Sequence, residues 1–249
     1  MRIAAIADVH GNCFAAEAVL QVLDAERADV LVNLGDHLSG GVAPAETADL
    51  LMRVGIPTID VRGNHERQVL ETPPEDMGES DRLAHDQLED HHRRWLAEMP
   101  LTVEIRPDVL AFHGTPTSDT EYLLDTITPD GARAAEPHEV EERLGGFLSY
   151  DLLLCGHTHL QRAVTLSNGS LVVNPGSVGY PAYDSSTPYP HVMEAGTPHA
   201  QYAIIDDVCG RWRVELRSIA YDWDQAAALA RHHGRRDVEH ALLTGRVLG

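Results

Sequence analysis

Five short polar clusters carry residue types suited to holding divalent cations: Asp8-Val9-His10, Gly35-Asp36-His37, Gly63-Asn64-His65-Glu66, His113-Gly114 and Gly156-His157-Thr158-His159. Imidazole, carboxylate and a neutral amide oxygen together suit borderline ions such as Mn²⁺, Fe²⁺, Zn²⁺ or Co²⁺. The adjoining glycines let the backbone turn sharply and approach an ion or a phosphate. Each cluster alone has a plain alternative, because a lone D-x-H is usually a surface turn and G-N-H is a common turn sequence. With 15 histidines in the chain some coincidence is expected, and His37, His85, His91, His92, His138, His232, His233 and His240 read as solvated or structural. Chance does not readily produce five such clusters that each follow a strand-like run.

Those runs are the elements that must position the chemistry. Residues 3–7, 30–34, 58–61, 109–112 and 152–155 are short apolar stretches of buried-strand character. Between the first two, residues 13–26 place Phe14, Ala18, Val19, Val22 and Leu23 at helical spacing, and residues 44–54 repeat the pattern before Pro57. Strand, helix, strand implies βαβ crossovers in a largely parallel sheet, whose ligand sites gather at the carboxyl ends of the strands. All five clusters would then face one pocket. Residues 163–166, 171–173, 201–205 and 212–218 read as antiparallel strands, and the chain is helical from Asp222 onward. We read residues 1–249 as a single domain with a helical insertion at about 68–100. Residues 179–200, with four prolines and three tyrosines, read as a long ordered loop.

The formal charge of −20, from 39 acidic against 19 basic residues, disfavours a broad surface for nucleic-acid backbone, so no long nucleic acid is expected as a partner. No apolar run approaches the roughly 20 residues of a membrane helix, and no signal peptide precedes the first strand, which points to the cytoplasm without membrane attachment. Cys13, Cys155 and Cys209 are too scattered for a disulfide framework and read as buried free thiols. Tyr180, Tyr183 and Tyr189 could stack a nucleobase, although aromatic residues more often pack a loop onto a sheet. Nothing in the sequence speaks to oligomeric state.

In this order the clusters resemble the motif series D-x-H, G-D, G-N-H, H and G-H-x-H of the calcineurin-like metallophosphoesterase superfamily. The segment Asn174-Pro175-Gly176-Ser177-Val178-Gly179 is similar to one in its small bacterial phosphodiesterase branch. The resemblance spans about the first 180 residues. It implies an α/β fold, a four-layer α-β-β-α sandwich of two mixed β-sheets flanked by helices. It also implies two divalent metal ions (Mn²⁺, Fe²⁺, Zn²⁺ or Co²⁺, with Mn²⁺ favoured for activity). Asp8, His10 and His159 would hold one ion, and Asn64, His113 and His157 the other. Asp36 would bridge them with one carboxylate oxygen on each. A shared hydroxide would attack phosphorus in line, and His65 would donate a proton to the leaving alkoxide or stabilise phosphoryl charge. His65 and Asp36 are thus the expected catalytic residues.

The match departs from the protein serine/threonine phosphatase branch, whose second motif reads G-D-x-x-D-R-G. Here Ser39 and Gly40 stand where that branch has the Asp that orients the histidine and the Arg that grips phosphate. Arg62, Arg67 and Arg162 flank motif residues and could contact phosphate, although exposed charge on a loop is the more common role for any one of them. The expected function is hydrolysis of small phosphodiesters or nucleotide phosphoesters, so the expected partner is a small phosphorylated substrate. The alternatives are a protein serine/threonine phosphatase and a non-catalytic metal-binding scaffold.

Overall fold

The computed structural model describes residues 1–249. Strands β1 (Arg2–Ile6), β2 (Val30–Asn33) and β3 (Thr58–Asp60) are parallel neighbours joined through α1 (Cys13–Glu26) and α2 (Pro44–Leu51). Both helices begin where the sequence can cap them. The Asn12 side chain accepts the Ala15 N–H at 3.1 Å, and Pro44 occupies the first turn of α2, where its missing N–H costs nothing.

The chain continues through α3 (Asn64–Glu71), α4 (Glu79–Gln87) and α5 (Asp90–Ala97) to β4 (Thr102–Arg106) and β5 (Val109–Phe112). A hairpin of β6 (Asp125–Thr128) and β7 (Gly131–Ala134) leads to α6 (Pro137–Leu144), β8 (Leu152–Leu154), β9 (Gln161–Thr165) and β10 (Leu171–Pro175). A second hairpin, β11 (Ala182–Ser185) and β12 (His191–Glu194), precedes β13 (Ala200–Asp207), β14 (Trp212–Ile219), α7 (Trp223–His232) and α8 (Arg236–Thr244). Two five-stranded mixed sheets result, in the orders β14-β13-β1-β2-β3 and β4-β5-β8-β10-β9.

Period-two alternation decides how these sheets stack. Ile3, Ala5, Val30 and Val32 of the first sheet meet Val109, Ala111, Leu152, Leu154 and Val173 of the second in one buried cluster. The intervening residues Ala4, Ile6 and Leu31 face Ala15, Val19 and Leu23 of α1, while Leu110, Phe112, Leu153 and Val172 face Val140 and Leu144 of α6. Strands apolar on both faces need a cover on each side, and the four-layer α-β-β-α arrangement supplies it. Ala226, Ala230, Val238 and Leu242 of α7 and α8 pack on Val42 and Ala43 just before α2. No helix is long and apolar enough to cross a membrane.

Three expectations need correction. Residues 179–200 are not an irregular loop, because they contain the β11–β12 hairpin with Tyr183 opposite Met193. The strands are four residues long and Pro188 and Pro190 lie in the turn between them, so neither periodicity nor composition marked them. The 68–100 region is helical, but its first helix starts earlier, at Asn64, within a polar cluster. Of the cysteines Cys155 is buried, Cys13 half-buried and Cys209 exposed.

Candidate metal centre

β1, β2, β3, β5 and β8 each end one to four residues before a polar cluster, so the five clusters leave the carboxyl ends of strands in both sheets. The chain leaves those strands in an unusual conformation. Asp8, His10, Asp36, His157 and His159 have φ of 55°, 49°, 56°, 70° and 60°, and only Arg27 and Cys209 join them among non-glycine residues with positive φ. The left-handed region costs an L-residue with a Cβ roughly 1–2 kcal/mol, so this concentration marks a site that the surrounding structure over-determines. The loops hold one another: Asp8 N–H donates to Gly35 O at 3.0 Å, His10 N–H to Asp36 O at 2.9 Å, and His157 N–H to Asp8 Oδ2 at 3.1 Å. The 174–179 turn clamps them from behind. There Asn174 Nδ2 donates to Gly156 O at 2.7 Å and Ser177 Oγ to Asp8 O at 2.8 Å.

Four imidazoles are oriented by the same device. Nδ1 of His10, His113 and His159 meets the backbone carbonyls of Ser39, Leu34 and Tyr180 at 2.5, 2.7 and 2.6 Å, and His157 Nε2 meets Thr120 O at 3.1 Å. A carbonyl only accepts, so each of those ring nitrogens carries a proton, and in the neutral ring the other nitrogen presents a lone pair. The lone-pair nitrogens converge in two buried sets. His10 Nε2 lies 3.0 Å from His159 Nε2, and His113 Nε2 lies 3.1 Å from His157 Nδ1 and 3.2 Å from Asn64 Oδ1. Donors bonded to one cation at roughly 2.0–2.2 Å sit about 3 Å apart, so these separations fit ligands of a common ion. Asn64 Nδ2 donates to Gln68 Oε1 at 3.4 Å, which turns the amide oxygen toward the second set.

The carboxylates complete both sets. Asp8 Oδ1, which is buried and has no hydrogen-bond partner, lies 3.4 Å from His159 Nε2 and 4.0 Å from His10 Nε2. Asp36 Oδ2 lies 3.8 Å from His10 Nε2 and 3.3 Å from His113 Nε2, so it belongs to both sets. Asp36 Oδ1 instead accepts the His65 N–H at 3.0 Å. Asp36 thus turns Oδ2 toward both sets and Oδ1 toward the α3 backbone.

Charge follows geometry. Burial, reinforced by neighbouring imidazoles, lowers His10 to about 4 and His157 to about 3, leaving both neutral as ligands must be. Burial also opposes charge on His113, but Asp36 and Asp8 more than offset it and raise this group to about 9. A proton on His113 then sits where a cation would otherwise answer Asp36. Beneath the centre the buried Glu66 carboxylate accepts the N–H groups of Asp36, His37 and Gly63 at 2.9, 2.7 and 2.8 Å. His37 lies between Glu66 and Asp60; burial lowers it, these two carboxylates raise it further, and it settles at about 10. Gly63 is required there, because a Cβ would collide with Asp36 Oδ1.

A cavity of ≈ 270 Å³ opens over His10, His157 and His159. Its remaining walls are His65, Ser80, Tyr180, Tyr183, Asp184, Arg235 and Asp237. Another histidine group, Asp49 with His91 and His92, is of a different kind. His92 Nδ1 accepts the Glu89 N–H at 3.2 Å, so its Nε2 holds the proton and donates to Asp49 at 3.1 Å, leaving no lone pair for a cation.

Residues 1–195 match the calcineurin-like phosphoesterase superfamily domain. The chain belongs to the calcineurin-like phosphoesterase superfamily. Among solved structures, a metallophosphoesterase from Sphaerobacter thermophilus is 26% identical over 98% of this chain and 99% of its own, with a TM-score of 0.75. A hypothetical protein from Pyrococcus horikoshii shares the fold at 17% identity and a TM-score of 0.77, covering 98% of each chain. No curated protein matches the sequence. As a calcineurin-like phosphoesterase the chain is a metal-dependent phosphoester hydrolase, and its histidine–aspartate groups could bind the metal.

Within this calcineurin-like site, His65 is oriented by a residue that sequence reading missed. Asp81 on α4 meets His65 Nδ1 at 2.7 Å and accepts the Ser39 hydroxyl at 2.5 Å on the same oxygen. Ser39 thus contacts the carboxylate that stands in for the missing motif aspartate. Burial lowers His65, while Asp36 and the Asp81 hydrogen bond raise it further, to about 9. Gly40 leaves no room for an arginine, because even a Cβ would run into the His10 carbonyl. The flanking arginines are engaged elsewhere: Arg67 with Asp119 at 2.7 and 3.0 Å, Arg162 with Asp125 at 2.7 Å, and Arg62 with Glu71 at 3.6 Å. Of the three tyrosines, Tyr180 and Tyr183 line the cavity and Tyr189 does not. The Tyr183 ring lies 4.6 Å from that of His159, and its hydroxyl donates to His157 O at 3.2 Å.

Proposed function

We propose that the chain hydrolyses small phosphate esters, phosphodiesters or nucleotide phosphoesters, with two divalent cations held by Asp8, His10 and His159 on one side and Asn64, His113 and His157 on the other. Asp36 Oδ2, which lies near both sets, would be shared between them. The observation that carries this reading is the ring nitrogens facing each other at 3.0 and 3.1 Å, on imidazoles whose other nitrogen is tied to a backbone carbonyl. Bound there, the cations supply Lewis acidity toward phosphoryl oxygens and a hydroxide nucleophile near neutral pH. The chain's own part begins with holding those donors rigidly, since every imidazole is tied to a backbone carbonyl. His65, fixed by Asp81 and with Nε2 4.0 Å from Asp36 Oδ2, holds a proton at the edge of the cavity for the departing alkoxide. The small cavity and the absence of a motif arginine support a small substrate over a phosphoprotein.

The test is metal-stripped protein reloaded separately with Mn²⁺, Zn²⁺ and Mg²⁺. Substrates are a phosphodiester, a phosphomonoester, 2′,3′- and 3′,5′-cyclic nucleotides, a dinucleoside tetraphosphate and a phosphopeptide. Metal-dependent turnover of a small ester with two ions bound supports the reading. Preferred turnover of the phosphopeptide transfers it to the phosphatase branch, and failure to bind metal leaves the scaffold in its place.

A further inference from the structure

Arg235 is the one arginine in the wall of the cavity over the metal centre. It lies in the turn between α7 and α8, beyond the segment that matches the family domain and far in sequence from every motif. Its side chain is 11% exposed and is held in place. Nε and Nη2 donate to the two Asp237 oxygens at 3.0 and 2.6 Å, Nη1 donates to Ser80 Oγ at 2.5 Å, and Glu79 Oε2 lies 3.3 Å from Nε. A guanidinium has five N–H groups. Three are used, so one on Nη1 and one on Nη2 remain without a protein acceptor.

The Tyr180 hydroxyl opens on the same cavity without a hydrogen-bond partner in the protein, near enough to Arg235 to feel its charge. Two N–H groups and one O–H give three donors, the number of outer oxygens on a terminal phosphate. The Asp237 side chain is 50% exposed, so water screens it, while the guanidinium it orients is largely shielded. Asp237 and Asp184 share the cavity wall, so the anion site rests on the directed N–H and O–H donors and not on a net positive field. Arg235 and Tyr180 thus share one cavity with the metal-ligand candidates His10, His157 and His159.

We propose that Arg235, with Tyr180, binds a second phosphate group carried by the substrate beyond the ester that is cleaved, and so selects substrates with two phosphates. This rests on the phosphoesterase reading above. A purely structural role, tying the α7–α8 turn to the start of α4, would affect all substrates alike, because α4 carries Asp81.

The test pairs thymidine 5′-(p-nitrophenyl phosphate) with the same compound phosphorylated at the 3′-hydroxyl. In the wild type the 3′-phosphate should lower KM about tenfold, in line with a charge-assisted fork. Arg235→Gln should erase that difference and leave kcat for both esters within about twofold, and Tyr180→Phe should remove a smaller part of it. A wild type indifferent to the 3′-phosphate, or a preference that survives Arg235→Gln, overturns the proposal. Equal loss of kcat on both esters also overturns it, in favour of the structural tie. Calorimetric titration with thymidine 3′,5′-bisphosphate gives a readout apart from turnover. If neither ester is cleaved the phosphoesterase reading fails, yet bisphosphate binding that weakens about tenfold in Arg235→Gln still upholds the anion site, and absent or unaltered binding removes it. Should Arg235→Gln fail to fold, Arg235→Lys is read instead; it keeps the charge without the fork, so affinity should fall about threefold, and an unchanged affinity overturns the proposal.

Discussion

The floor of the cavity and its wall hold their side chains in different ways. On the floor, Asp8, His10, Asp36, His157 and His159 project from strand ends with left-handed backbone, and their ring and carboxylate contacts run to neighbouring backbone. On the wall, His65, Ser80, Asp81, Arg235 and Asp237 lie on or beside helices, and the links among them run side chain to side chain. Backbone-anchored donors cannot adjust without moving a sheet, which suits a fixed cation geometry. Side-chain links can be exchanged without touching the sandwich, which suits a wall that sets how the substrate is gripped and protonated.

The expected outcomes that bear on that contrast begin with the floor. Asp36→Asn weakens the one oxygen common to both sets, so kcat should drop by about 10³ and bound metal should fall, measured by turnover and elemental analysis. Retention of both ions and near-normal turnover would break the idea of a shared floor.

On the wall, His65→Gln should lower kcat by about 10²-fold, within the usual range for a general acid. Asp81→Asn should cost less, about tenfold, and should also move the pH profile. His65 donates only while protonated, so activity falls as pH rises through its pKa, which the Asp81 carboxylate helps to raise. Removing the Asp81 carboxylate removes part of what raises that pKa, so the alkaline limb should move to lower pH. A rate loss with an unmoved limb would sever Asp81 from His65.

Metal binding should separate the halves of the floor. His113, raised to about 9, is protonated at pH 7 in the metal-free protein, whereas His10 and His157 are already neutral. Filling the Asn64–His113–His157 set should release at least one proton at pH 7, and its affinity should weaken as pH falls from 8 to 6. Calorimetry in buffers of different ionisation enthalpy measures this, and binding without proton release would contradict the assignment of His113.

The smallest effects belong to the tyrosines of the β11–β12 region. Tyr183→Phe removes the hydroxyl's hydrogen bonds to the His157 carbonyl and to the Tyr122 hydroxyl, about 1 kcal/mol each, and should lower the melting temperature with little change in KM. Tyr189→Ala should leave KM unchanged for every nucleotide substrate, because that ring is outside the cavity. A KM rise in Tyr189→Ala would extend the wall to the hairpin turn.

Much of the floor was legible in the sequence because its determinants are local. A strand shows itself by a short apolar run, and the polar residues that follow it within four positions inherit its direction. The five clusters could therefore be placed at one pocket before any coordinates, the resemblance implied which residues in them are donors, and the structure brings Asp8, His10, Asp36, Asn64, His113, His157 and His159 together. The 182–194 hairpin escaped, because strands of four residues with mixed polarity around a proline-rich turn carry no usable period.

Only the tertiary structure decided the rest. Asp81 reaches His65 because α4 packs beside α3, and Arg235 reaches Ser80 because the α7–α8 pair lies against the chain before α2. These contacts join residues 16 and 155 positions apart, and no periodicity or spacing encodes them. The tautomer of each imidazole and the turn of Asp36 Oδ2 toward both sets depend in the same way on which carbonyl or N–H packing brings alongside. Residue type and strand periodicity select the donors, and packing between distant segments sets their protonation, their aim and the wall that faces the substrate.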